Sequence, residues 1–112
     1  MNENPESTRT PGREARVSPR RSVQIDAQIA VMNRSFPAQV RSISASGVFA
    51  HARETALDVG AAVEIVLPKK RSHGPPTLRI PATVVRLEQD GVALRFGRYD
   101  STVYTDLIDL IY

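Results

Sequence analysis

Cysteine is absent from the 112 residues, which excludes a disulfide framework, a thiol nucleophile and a thiolate metal site. Histidine occurs twice, at His51 and His73. Without cysteines or a close carboxylate cluster, two histidines are too few for a zinc site, so both read as surface residues and no metal is expected. Aromatic residues make up only 5% of the chain, too few for the stacking platforms that line single-strand nucleic-acid grooves, and no DNA or RNA partner is expected. No apolar run approaches the roughly 18 to 20 residues that span a bilayer, and the opening Met1-Asn2-Glu3-Asn4-Pro5 is polar. Neither export nor membrane insertion is indicated, and a reducing cytoplasm is the expected location.

What remains is ordinary globular material, 41% hydrophobic and 24% charged, with a formal net charge of +3. A chain of this length fits one domain. The charge is modest but unevenly placed. Arg9, Arg13, Arg16, Arg20 and Arg21 crowd the start, and Lys69, Lys70 and Arg71 form a second cluster. The first group is arginine only, and a guanidinium fork suits phosphate oxygens and the guanine edge. The second reads as a solubilising loop.

Residues 1–15 contain almost nothing apolar and read as a flexible N-terminal arm, leaving 16–112 as the folded domain. From Ser22 the pattern alternates with the period of a half-buried strand: Val23, Ile25, Ala27, Ile29 and Val31 on one face. Asn33-Arg34-Ser35 is a turn signal, and Phe36, Ala38 and Val40 continue on a second strand. Val48-Phe49-Ala50 is a short third strand. Val63, Ile65 and Leu67 mark a fourth, and a proline-rich connection from Pro68 to Pro76 comes next. Leu78, Ile80, Ala82 and Val84 alternate again, and Asp90-Gly91 is a hairpin signal leading into Val92, Leu94 and Phe96. Phe36, Phe49 and Phe96 read as core. After Gly97 the period lengthens: Val103, Leu107, Leu110 and Ile111 fit a helix over about 100–111, with Asp100 or Ser101 as its cap. About six mostly antiparallel strands and one terminal helix favour a closed barrel, which removes exposed edges.

Two patterns carry chemistry. Arg16-Val17-Ser18-Pro19-Arg20 sets two arginines four apart where the arm meets strand one, and Pro19 keeps the arm extended there, with the guanidiniums free to swing. Ser42-Ile43-Ser44-Ala45-Ser46-Gly47 interrupts strand two with hydroxyls and a glycine, which permits a backbone conformation that larger residues resist. Each has a plain alternative: a solvated basic arm for the first, a hydroxyl-stabilised tight connection for the second. A Ser44, His51, Asp58 triad lacks a nucleophile-elbow sequence, so catalysis is not expected.

At these residues the sequence resembles the PilZ domain, a bacterial family that binds cyclic di-GMP on a six-stranded β-barrel. The family signature is Arg-x-x-x-Arg ahead of strand one and Asp/Asn-x-Ser-x-x-Gly after strand two. Arg16 and Arg20 match the pair, Ser44 the serine and Gly47 the glycine, while Ser42 stands where the family has Asp or Asn. The resemblance implies an all-β fold: a six-stranded antiparallel PilZ-like barrel with a C-terminal α-helix and the flexible arm. It implies a cyclic di-GMP receptor or adaptor in second-messenger signalling. The ligand would be held by Arg16, Arg20, Ser42, Ser44 and Gly47, with Arg13 and Arg21 as auxiliaries, no cofactor, and a protein effector as partner. Apolar Ala15 before the pair points to one bound nucleotide rather than a stacked two. The competing reading is a PilZ-like protein-interaction module that no longer binds nucleotide, for which Ser42 is the motive.

Overall fold

The computed structural model describes residues 19–52, 57–70 and 74–112. Six antiparallel strands, β1 (Arg21–Val31), β2 (Arg34–Ile43), β3 (Gly47–His51), β4 (Ala62–Pro68), β5 (Thr77–Glu88) and β6 (Gly91–Phe96), close into a barrel in the order β1-β2-β3-β6-β5-β4. The helix α1 (Ser101–Ile111) completes the chain. This is the architecture expected from the strand count and the terminal change of period. The closing seam is short: β1 meets β4 through Gln28↔Val66, Ile29↔Ile65 and Ala30↔Glu64.

Alternation builds the core. Ile29, Val40, Ile43, Val48, Ile65, Ile80, Val84 and Val92 are fully or almost fully buried inside the barrel, and Leu107 and Ile111 carry the apolar stripe of α1 onto it. Asp100 caps that helix, its carboxylate accepting from the Val103 amide at 3.0 Å, which satisfies one of the orphan first-turn donors.

Both hairpin turns sit one position earlier than their sequence signals. The first is Met32-Asn33, with Arg34 already in β2; Met32 takes the left-handed φ of 57° and is almost wholly exposed. A methionine is no turn signal, so the Asn33-Arg34-Ser35 placement was displaced. The second is Gln89-Asp90, and Gly91 opens β6 instead of completing the turn. It is needed there for space: a Cβ would lie 2.4 Å from Phe49 Cζ and 2.7 Å from the Ala50 carbonyl oxygen.

The second basic cluster is more than a solubilising loop. The Lys69 ammonium lies 3.5 Å from the Asp106 carboxylate of α1, with only 7% and 11% of the two side chains exposed, and Lys70 donates to the Asp109 carbonyl at 3.0 Å. These contacts fasten the helix to the β4–β5 connection. Arg71 and His73 lie outside the described residues.

Candidate functional site

Two β-bulges prepare the outer wall. In the β2·β3 ladder the register passes from Val40↔Ala50 to Ser42↔Phe49, so Arg41 is an extra residue on β2. In the β5·β6 ladder it passes from Val84↔Leu94 to Arg86↔Ala93, so Val85 is extra on β5. With a period of two, Ser42 and Arg86 would share the inward phase of Val40 and Val84; one inserted residue turns each to the outside. Ser42, Phe49, Ala93 and Arg86 are consequently register partners in one row across β2, β3, β6 and β5. That row floors a groove of about 500 Å³ that Arg20, Ser46, Gly47 and Arg95 also line, a volume in the range of small-molecule sites.

The mouth of the groove is a hydroxyl network. Ser44 is wholly buried, and its Oγ accepts from the Ser46 amide at 3.1 Å and lies 3.1 Å from the Ser46 hydroxyl and 3.5 Å from the Gly47 carbonyl. The Ser44 amide donates to that same carbonyl at 2.9 Å and closes the loop. Arg20 reaches over it, donating from Nη1 to Ser42 Oγ at 3.0 Å and, more weakly, from Nη2 to Ser44 Oγ at 3.5 Å. The Arg20 guanidinium is therefore held by the serines rather than free to swing. Ser42 acts as an acceptor, as its chemistry allows, and the donor it meets here is the arginine.

Gly47 is needed for a different reason from the one its sequence context implied. Its φ is not in the left-handed region, where Gly60 and Gly74 are the glycines found. A Cβ on Gly47 would lie 2.2 Å from the Leu94 carbonyl oxygen, so the glycine lets β3 approach β6.

Of the residues assigned from sequence, Arg20, Ser42, Ser44 and Gly47 are brought together. Arg21 begins β1 and its guanidinium lies 5.4 Å over the Tyr112 ring at the end of α1, outside the groove lining. Arg13, Ala15 and Arg16 lie outside the described residues. The Ser44, His51, Asp58 triad does not assemble: Ser44 is engaged in the hydroxyl network, and His51 Nδ1 faces Asp90 at 3.8 Å. No group of three or more His, Asp and Glu side chains among the described residues is placed to hold a metal, and no described helix is long and apolar enough to cross a membrane.

The largest correction concerns Phe49. It belongs to the outer wall, half-buried and lining the groove, while Val48 and Ala50 on either side face the core. Phe36 and Phe96 do pack with the core. Arg86, Arg95, Ser46 and Val85 also went unassigned. Arg95 was legible, as the outward residue between inward Leu94 and Phe96, whereas Phe49 lies in a run that is apolar in both phases and the outward turn of Arg86 depends on a bulge that no single strand announces.

A tyrosine ties the site to the connection between β6 and α1. Tyr99 donates its hydroxyl to the Ala45 carbonyl at 2.5 Å and stacks on Tyr104, with centroids 6.4 Å apart. Burial, and secondarily Tyr104, raises the Tyr99 phenol above its ordinary value of 10. The donor proton is thereby retained through the neutral range.

Fold and site together define a class: a small closed β-barrel carrying an arginine- and hydroxyl-lined groove on its outer wall. A family model for the PilZ domain matches residues 14–112, and the chain belongs to the PilZ domain family. Members of that family are generally binding or adaptor modules that take cyclic di-GMP. Among solved structures, the chain resembles the Bacillus subtilis inhibitor of motility, MotI/DgrA, with a TM-score of 0.70 and 16% identity over 85% of this chain and 48% of that one. It also resembles the PilZ domain of CeSA from a cellulose-synthesizing bacterium, with a TM-score of 0.67 and 16% identity over 84% and 95%. The chain thus spans about half the length of MotI/DgrA. At these identities the likeness is one of fold. A search of curated protein sequences finds no match.

Proposed function

We propose that the domain is a cytoplasmic cyclic di-GMP receptor that passes the signal to a protein effector, with Arg16 and Arg20 closing over the nucleotide on the groove. The observation that carries this reading is the Arg20 guanidinium poised on Ser42 and Ser44 at the edge of a groove of about 500 Å³. A guanidinium presents five N–H donors, so donors remain for phosphate oxygens or guanine O6 and N7. Ser42, Ser44 and the Gly47 region supply further polar contacts, with Arg13 as an auxiliary; Arg21, turned to Tyr112, is left out of the site. A nuclear magnetic resonance titration with cyclic di-GMP tests it. Shifts at Arg20 and Ser42 through Gly47 that vanish in Arg16→Ala and Arg20→Ala establish the receptor; silence at high micromolar ligand refutes it.

The second reading is a PilZ-like protein-interaction module without nucleotide. It draws on Ser42, whose neutral hydroxyl replaces the family's carboxylate or amide and already serves Arg20. Exchanging a charge-assisted for a neutral bond costs about 1 to 2 kcal/mol, or about tenfold in affinity. Ser42→Asp separates the two: a strong gain from no detectable binding identifies a lapsed site, and a gain of about tenfold on a measurable affinity identifies a working one.

A further inference from the structure

The row Ser42, Phe49, Ala93, Arg86 holds a feature that the arginine and serine motifs leave unused. Phe49 sits outward in the middle of the groove floor, and the tip of its ring, Cζ and Cε2, lies close over Gly91 of β6, where a Cβ would be 2.4 and 3.0 Å away. A glycine at that point lets the ring lean across β6 instead of standing off the sheet. Its register partner is Ala93, whose small side chain leaves the floor low between Phe49 and Arg86. The Arg86 Nε donates to Glu88 at 2.6 Å. That exposed bond uses one side of the guanidinium and leaves the terminal nitrogens as a fork with no other partner among the described residues. In the adjacent row Arg95 partners Gly47, and it has no side-chain ion pair or hydrogen bond among the described residues.

A flat apolar surface beside a two-pronged donor is the pattern that recognises a purine: stacking supplies affinity without regard to base, and a bidentate fork to O6 and N7 selects guanine. We infer that Phe49 and Arg86 form a guanine subsite at the end of the groove away from Arg20, with Phe49 stacking on the base and Arg86 reading its O6/N7 edge. This rests on the cyclic di-GMP reading of the same groove. Three inter-strand steps separate Ser42 from Arg86 along the row, roughly 14 Å at the usual strand spacing. A two-base ligand therefore has room to meet Arg20 with one part and Phe49 with another.

The test is isothermal titration of the full chain with cyclic di-GMP and with cyclic di-AMP, for wild type, Phe49→Leu, Phe49→Trp and Arg86→Gln, with melting curves as the folding control. Phe49→Leu keeps an apolar side chain and removes the aromatic face; it should weaken cyclic di-GMP binding about tenfold, and Phe49→Trp should restore or improve it. Arg86→Gln should erase at least tenfold of the preference for guanine over adenine. In the wild-type complex, saturation of the Phe49 ring protons should transfer to guanine H8. If the wild type binds and Phe49→Leu stays within twofold, or no transfer to H8 occurs, the subsite is refuted while the receptor stands. Unchanged preference in Arg86→Gln overturns the edge contact. No binding by the wild type refutes the receptor and the subsite together.

Discussion

Gly47→Ala tests how the site is built into the barrel. The new Cβ would stand 2.2 Å from the Leu94 carbonyl oxygen and 3.2 Å from Arg95 Cα. The obstructing atoms are backbone, so no rotamer change relieves them, and β3 must part from β6 by roughly 1 Å to reach ordinary contact. A ladder bond of about 2.9 Å stretched that far ceases to be a hydrogen bond. Losing two such bonds costs about 1 to 3 kcal/mol, and the overpacking adds about 1 to 3 more. The expected loss of about 2 to 6 kcal/mol lowers the melting temperature by about 8 to 24 °C at roughly 4 °C per kcal/mol. Gly60→Ala is the control: Gly60 has φ 95° and nothing within 4 Å of its Cβ position, so it bears only the conformational strain of about 1 to 2 kcal/mol. Circular dichroism melts of the three proteins decide the matter. A Gly47→Ala melt within about 3 °C of wild type, or one milder than Gly60→Ala, refutes the close-approach argument.

Asp106→Ala removes the α1 carboxylate from beside the mostly buried Lys69 ammonium and should cost about 1 to 3 kcal/mol, the range for a hydrogen bond to a charged group. The Lys69→Met/Asp106→Leu double variant should recover most of this in urea denaturation, and a single-variant cost under about 1 kcal/mol contradicts the helix-fastening role. Tyr99→Phe removes the hydroxyl bond to Ala45, worth about 1 kcal/mol near neutrality. Because the folded phenol titrates above its ordinary value, its contribution is complete below pH 10 and lost as pH rises through the folded value. Melting temperatures should accordingly fall more steeply above pH 10 for wild type than for Tyr99→Phe, and parallel curves defeat that account. Asp100→Ala removes the helix cap at about 1 kcal/mol; Asp100→Asn, which keeps the acceptor, should melt near wild type.

The alternation of Ile29, Val40, Ile65, Ile80 and Leu94 was readable because burial on one face of a strand leaves a period of two. The helix was readable for the same reason at its own period. Bulges leave no such mark. Arg41 and Val85 are ordinary residues inside apparently regular strands, and their being extra is defined by what the neighbouring strand offers. Phe49 was misplaced by a related ambiguity: Val48-Phe49-Ala50 is apolar in both phases, so a five-residue strand cannot say which side is in. The Lys69–Asp106 pair joins residues 37 apart in sequence, and composition sees only a basic loop. The serine motif was legible because its chemistry is local: Ser44 bonds to Ser46 and Gly47 within four residues.

Core and groove use opposite faces of the same strands, and that separation bears on Ser42. Ile43 beside it is fully buried, whereas Ser42 faces outward, bonded to Arg20 and partnered with Phe49. A carboxylate at this position enters no apolar space and finds Arg20 already 3.0 Å from the present hydroxyl, so it gains a charge-assisted pair in place of a neutral bond. The pair is exposed, and for such pairs the gain in stability is small, about 0 to 1 kcal/mol. Ser42→Asp should therefore melt within a few degrees of wild type while its affinity for cyclic di-GMP rises about tenfold. A large loss of stability would mean that the bulge at Arg41 does not turn position 42 outward. The row from Ser42 to Arg86 would then no longer describe the floor of the groove.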